Sequence, residues 1–115
     1  IFNRAKKYNI KINKKYINAK SLYELLVKQN FRCAISNISI RLHKSFSLAS
    51  CGKCKKKQTA SLDRINPKKG YIKNNIQWLH KDINRFKNNY SMKKFLKMCN
   101  IITYHNTKTI GKQNV

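Results

Sequence analysis

The sequence predicts one small α+β domain in which a strand–turn–strand–helix unit is flanked by helices. Three observations carry that expectation. Residues 59–65 (TASLDRI) read as a strand and run into Asn66-Pro67-Lys68-Lys69-Gly70, a stretch of strong breakers that forces a turn. Residues 19–30 and 91–103 carry apolar side chains at helical spacing. The chain has 115 residues, 41% of them hydrophobic, which supports one modest core under a largely wet surface.

Taken in order, residues 1–9 (IFNRAKKYN) read as a short basic helix that breaks around Ile10–Asn13. Leu22, Leu25, Leu26 and Gln29 mark residues 19–30 as an amphipathic helix. Asn18 is its expected cap, with Ser21 standing where a full capping box wants an acidic partner. Residues 31–41 (FRCAISNISIR) alternate and are β-branched, which predicts a short hairpin turning near Ser36-Asn37. Residues 42–58 are rich in Ser and Lys and read as an exposed loop. After the strand at 59–65 and its turn, Tyr71–Ile72 is the expected second strand. A helix is expected from near Asn75 to about Asn89. Ser91 caps a last helix with Met92, Phe95, Leu96, Cys99 and Ile102 on one stripe. The domain is expected over residues 1–104, with its strand–strand–helix core at about 58–89. Residues 105–115 are expected to form a basic, frayed tail.

Charge narrows the partner. There are 27 Lys and Arg against three acidic residues, Glu24, Asp63 and Asp82, for a formal net charge of +24. Like charge on a compact domain repels itself. Neutralisation by phosphates removes that penalty and releases counterions. A coding bias toward Asn, Lys and Ile accounts for the abundant lysines but not for the scarcity of Asp and Glu. A nucleic acid, DNA or RNA, is therefore the expected partner, and a larger nucleoprotein assembly is one setting for it. No apolar run approaches the roughly 20 residues needed to span a bilayer, and no membrane partner is expected. No signal-peptide pattern is visible, so an intracellular setting is expected, where cysteines more often bind metal or stay inert than form disulfides.

The informative stretch is 60–88, ASLDRINPKKGYIKNNIQWLHKDINRFKN. Strand, turn, strand and helix put Asp63 at the end of the first strand and Asn84 on the helix. An Asp and an Asn so placed can hold one hard divalent cation, with water and phosphate oxygens completing its shell. This run resembles the HNH (ββα-metal, or His-Me finger) endonuclease family. The likeness is to the small phage and homing-type branch with the pattern SLDRI…GY…N-x-Q-W-x-H-K-x-I-N-x-x-K. It extends over roughly residues 4–103 outside the loop at 42–58, because AKKYNI…LYELLVKQNFRCAISNISI and SMKKFLKMCNII also look like that branch.

The resemblance implies a phosphodiester hydrolase using one Mg²⁺ or Mn²⁺ ion. Asp63 and Asn84 match the metal ligands, and Asn88 lies where some relatives have a third. Asn75 matches the Asn that ties the hook loop to the helix. Lys87 completes the N-x-x-K pattern and is expected near a phosphate. Arg64 stands where the family often has the basic His. A guanidinium cannot accept that proton, so Arg64 is expected to clamp phosphate. The base would then be His80, His43, Tyr71 or the metal-bound water alone. The lysine clusters, Lys53, Lys55, Lys56 and Lys57 on one side and Lys68, Lys69 and Lys73 on the other, are expected to meet phosphate, as is Arg85.

Zinc is a further question, because many relatives carry two CxxC pairs around the motif. Here Cys33 and His80 remain at those places, while Cys51 and Cys54 form a CxxC elsewhere. A rearranged zinc site of Cys33, Cys51, Cys54 and His80 fits on ligand type. The plainer reading makes Cys33 a buried apolar residue and Cys99 a packing residue of the last helix. Asp63 alone could be a turn residue and Asn84 an exposed helix residue. Trp78 and Tyr71 read as core or loop anchors, and His80 as a satisfied structural residue. Two functions follow. One is a metal-dependent endonuclease. The other is a catalytically inactive basic module of the same fold, held on RNA or DNA in a particle such as an organellar ribosome.

Overall fold

In the computed structural model, residues 10–43 and 57–113 are described, with side chains through residue 108. The element order is α1 (Ala19–Lys28), β1 (Ala60–Arg64), β2 (Ile76–His80), α2 (Lys81–Lys87) and α3 (Met92–Gln113). The chain is thus a small α+β fold with three helices and one two-stranded antiparallel sheet among the described residues. The expected helix at 1–9 and the Cys51–Cys54 pair lie outside the described residues, as does most of the loop at 42–58.

Helix α1 begins where the sequence places it. The Asn18 carboxamide accepts from Ser21 N at 2.9 Å, and the Asn18 N–H donates to Ser21 Oγ at 3.1 Å. The capping box is therefore complete with a hydroxyl in place of the expected carboxylate. Leu26 of α1 is fully buried and packs with Cys33, Ile40, Ala60, Trp78 and Leu79. Gln29, just past the helix, does more than the helical stripe suggests. Its Oε1 accepts from Trp78 N and its Nε2 donates to Trp78 O, both at 2.9 Å. The side chain thus satisfies the Trp78 N–H on the open edge of β2 and shares the Trp78 carbonyl with Ala34 N, which donates to it at 3.0 Å. The segment 31–41 forms a tight turn closed by one antiparallel bridge, Arg32 to Ser39, rather than a hairpin ladder. Asn37 at φ 62° takes the left-handed backbone that Asn tolerates at such a turn.

The sheet corrects two expectations. The second strand is Ile76–His80, not Tyr71–Ile72, and the following helix starts at Lys81, not near Asn75. β1 pairs with β2 in the register Ala60–His80, Leu62–Trp78 and Asp63–Gln77. The sequence IQWLHKDINRFK admits both periods, since apolar residues fall two apart at Ile76 and Trp78 and four apart at Leu79 and Ile83. Tertiary pairing decides for the strand. Tyr71 is displaced from the ladder because it pairs instead with Ile12 in a parallel bridge. Its N–H donates to Lys11 O at 2.7 Å, and its carbonyl accepts from Asn13 N at 3.0 Å. Gly70 makes that approach possible, because a Cβ there would overlap the Lys11 carbonyl oxygen. A second small core, Ile17 and Tyr71 with Ile10, Ile12 and Ile76 against them, forms beneath this contact.

Helix α3 starts at the expected cap, with Lys94 N donating to Ser91 Oγ at 3.2 Å. It then continues to Gln113, where a frayed tail is expected. Neither Gly nor Pro interrupts residues 92–110, so local propensity carries the helix on past the part that packs. Its Leu96, Met98 and Ile102 remain about half exposed.

Candidate functional site

The hook loop between the strands is built by Asn75. Its Oδ1 accepts from Asn66 N at 2.9 Å, and its Nδ2 donates to Asn66 O at 3.1 Å and to Gly70 O at 2.8 Å. The side chain is 6% exposed. It therefore ties the loop to the start of β2, one element earlier than the helix it was expected to hold. A second clamp comes from Arg64. Its Nη1 donates to Pro67 O at 2.8 Å and Lys69 O at 3.3 Å, and its guanidinium lies 5.6 Å from the centroid of the Tyr71 ring. Arg64 was expected to serve phosphate. The structure gives one of its nitrogens to the loop carbonyls.

Against this hook, α2 lies on the sheet face that carries Ser61 and Asp63. Asn84 Nδ2 donates to Ser61 Oγ at 2.7 Å and to Leu62 O at 3.3 Å. These bonds orient the carboxamide and leave its oxygen, the atom able to ligate a cation, for other partners. One helical turn on, Lys87 is fully buried. Its Nζ lies 3.1 Å from both Asp63 carboxylate oxygens and donates to Arg64 O, also at 3.1 Å. This corrects the expected role of Lys87. With no exposed surface it cannot reach a phosphate, and it serves instead as the counter-charge of the buried carboxylate. Gln77 adds a third hydrogen bond, Nε2 to Asp63 Oδ2 at 3.0 Å, as the register pairing of the two residues requires. Sequence reading named neither Gln77 nor this ion pair. The signal was there in the motif's Q and K, whose common target only the register reveals.

Asp63, Arg64, Asn84, Arg85 and Asn88 line one open cleft of about 360 Å³, together with Lys81 and Tyr71. The strand and helix residues expected to share a site are thus brought together. Asn88 is the C-cap of α2 at φ 53° and stands at the rim. Lys68, Lys69 and Lys73 are exposed on and beyond the hook loop, as a phosphate-facing cluster requires. Lys57 is exposed as well, while Lys53, Lys55 and Lys56 lie outside the described residues.

His80 is not in the cleft. It is the N-cap of α2, with Nδ1 accepting from Asp82 N at 3.1 Å. That nitrogen is engaged at the helix end, and the side chain does not line the cleft that Asp63 and Asn84 share. His43 lies outside the cleft too, so Tyr71 is what remains of the expected side-chain bases. Its ring is 5% exposed and acts first as a core anchor.

Cys33 is buried in the main core, as the plainer reading has it. Burial alone pushes its thiol up. Hydrogen bonds from the Ser36 hydroxyl and from the backbone at His80, Ser36 and Ile35 outweigh it and hold the thiol below its ordinary value. No group of three or more His, Cys, Asp or Glu that could hold a metal occurs among the described residues.

A divalent ion can still be tested against the donors present. Magnesium keeps several waters and binds through one or two carboxylates plus substrate phosphates. Asp63 and the Asn84 oxygen fit that requirement in type. Gln77 donates to Asp63 Oδ2 and so helps orient the carboxylate, while the Lys87 ammonium, in contact with both oxygens, competes with a cation for them. Neither family models, nor curated proteins, nor solved structures yield a match to this chain.

Proposed function

We propose that this chain is a nucleic-acid-binding module of HNH type that hydrolyses phosphodiester bonds with one Mg²⁺ or Mn²⁺ ion. The observation that carries the proposal is the meeting of Asp63 from β1 and Asn84 from α2 in a cleft whose lining includes the cations Arg64, Lys81 and Arg85. The two oxygen donors would hold the ion, which when bound supplies a Lewis acid for the phosphoryl group. Lys87 and Gln77 fix the Asp63 carboxylate. Asn75 and Arg64 fix the loop that carries the strand end. Lys81 and Arg85 supply charge to the entering phosphate. The Lys87 ammonium beside Asp63 opposes a lone dication, while a bound phosphate restores the negative charge. Metal and nucleic acid should accordingly bind better together than apart.

A second reading rests on specific observations. No histidine lines the cleft among the described residues, and the Asp63 charge is already neutralised by a buried lysine. Those features, with the net charge of +24, suit an inactive module resident on RNA or DNA in a nucleoprotein particle.

One experiment separates the two. Purified protein is incubated with plasmid DNA in Mg²⁺ or Mn²⁺, with and without EDTA, beside Asp63→Ala. Cleavage that needs the metal and is lost in Asp63→Ala, with binding retained, supports the nuclease. Absence of cleavage with tight binding supports the resident module. Cleavage that survives EDTA would overturn the metal mechanism. Either reading requires steep salt dependence, with a log–log slope of roughly −5 if about six phosphates of duplex DNA are contacted.

A further inference from the structure

A second cleft, of about 900 Å³, adjoins the first. Arg64, Pro67, Asn88 and Asn89 line both, so the two clefts are contiguous. The second is chemically different. Its charged wall is Arg64, Lys68 and Lys94, and it contains no acidic residue. Its aromatic wall is Tyr90, half exposed, with the Lys94 Nζ 4.8 Å from the ring centroid. Its remaining polar surface is largely Asn carboxamide, able both to donate and to accept.

Cations beside an exposed aromatic ring, with amides between, are the elements that receive a nucleotide whose base has left its stack. In a continuous duplex the bases face inward and only phosphates reach a groove of this kind, so neither the ring nor the amides would be used. The volume falls in the range that ordinarily encloses a small ligand, roughly 300–1,000 Å³.

We propose that this second cleft binds, in single-stranded form, the nucleotide next to the phosphate that enters the first cleft at Lys81 and Arg85. Tyr90 stacks on the base, and Lys68 and Lys94 hold the neighbouring phosphate. The preferred ligand is then a single strand or an opened junction rather than uninterrupted duplex. This rests on the reading of the chain as a nucleic-acid binder, but it does not require cleavage.

The test is fluorescence anisotropy in EDTA at fixed salt, using one oligonucleotide as a single strand and as a blunt duplex. The parent should bind the single strand more tightly. Tyr90→Ala should weaken single-strand binding about tenfold, within the range for loss of one stacked base, and leave duplex binding unchanged. Tyr90→Phe and Tyr90→Trp should retain the preference, which shows that Tyr90→Ala acts through the ring and not through misfolding. Lys94→Ala should reduce the salt slope by about one unit of phosphate contact. Equal affinity for both ligands, or a Tyr90→Ala protein that binds the single strand like the parent, overturns the proposal while leaving the chain a nucleic-acid binder. Absence of binding to either ligand overturns both.

Discussion

Replacing Lys87 by Met tests the centre of the site. The thioether chain keeps most of the lysine's apolar volume, so little packing is lost. What goes is the ammonium 3.1 Å from both Asp63 oxygens. Asp63 is 6% exposed and keeps one side-chain donor, Gln77. Removing one partner of a buried pair costs about 3–5 kcal/mol, because the other charge stays buried without compensation. Small domains are held by about 5–15 kcal/mol, so this is a large share of the total. At about 3–6 °C per kcal/mol for a chain of this length, the melting temperature should fall by roughly 10–30 °C. The double variant Asp63→Leu/Lys87→Met removes both charges and should recover much of that loss. Thermal melts of the parent, both single variants and the double variant measure the coupling. A Lys87→Met protein that melts within about 0.5 kcal/mol of the parent, or a double variant showing the plain sum of the single losses, would refute the buried pair. Binding offers an independent check. Because Lys87 has no exposed surface, its loss should leave the salt slope of folded protein unchanged, whereas losing a phosphate-contacting lysine lowers the slope by about one.

Three further outcomes are expected. Asn75→Ala removes three hydrogen bonds from a buried loop tie and should cost about 2–4 kcal/mol, read as a lower urea midpoint; at about 1 kcal/mol net for each bond, a smaller loss would mean that the loop is held elsewhere. Gly70→Ala drives a Cβ into the Lys11 carbonyl oxygen and should open the Ile12–Tyr71 bridge, costing about 1–3 kcal/mol and exposing the Tyr71 N–H to hydrogen exchange. Because the folded Cys33 thiol is held below its ordinary 9.0, the folded state sheds its proton first. Stability from this group should therefore grow as pH rises toward 9.0 and vanish as pH falls through the folded value, a slope that Cys33→Ala should lack in paired denaturation curves.

The amino-acid sequence by itself determined what depends on neighbours along the chain. Asn18 and Ser91 begin their helices because their side chains reach backbone N–H groups three residues on. Asn66-Pro67 breaks the chain where local geometry demands it, and the expected β1 is present. The excess of Lys and Arg sets a net charge of +24 whatever the fold. Only the tertiary structure decided the rest. Ile76–His80 carries both periods, and it became a strand because β1 on one side and the Gln29 side chain on the other satisfy its backbone groups. Lys87 looked like a surface cation because lysine rarely sits fully buried. It is buried because α2 crosses the sheet at Asp63, and a buried carboxylate must find its counter-charge nearby. His80 caps α2 because packing brings its Nδ1 to the Asp82 N–H. Its nearest unmet need was a backbone N–H, and which need lies nearest is set by packing, not by sequence order.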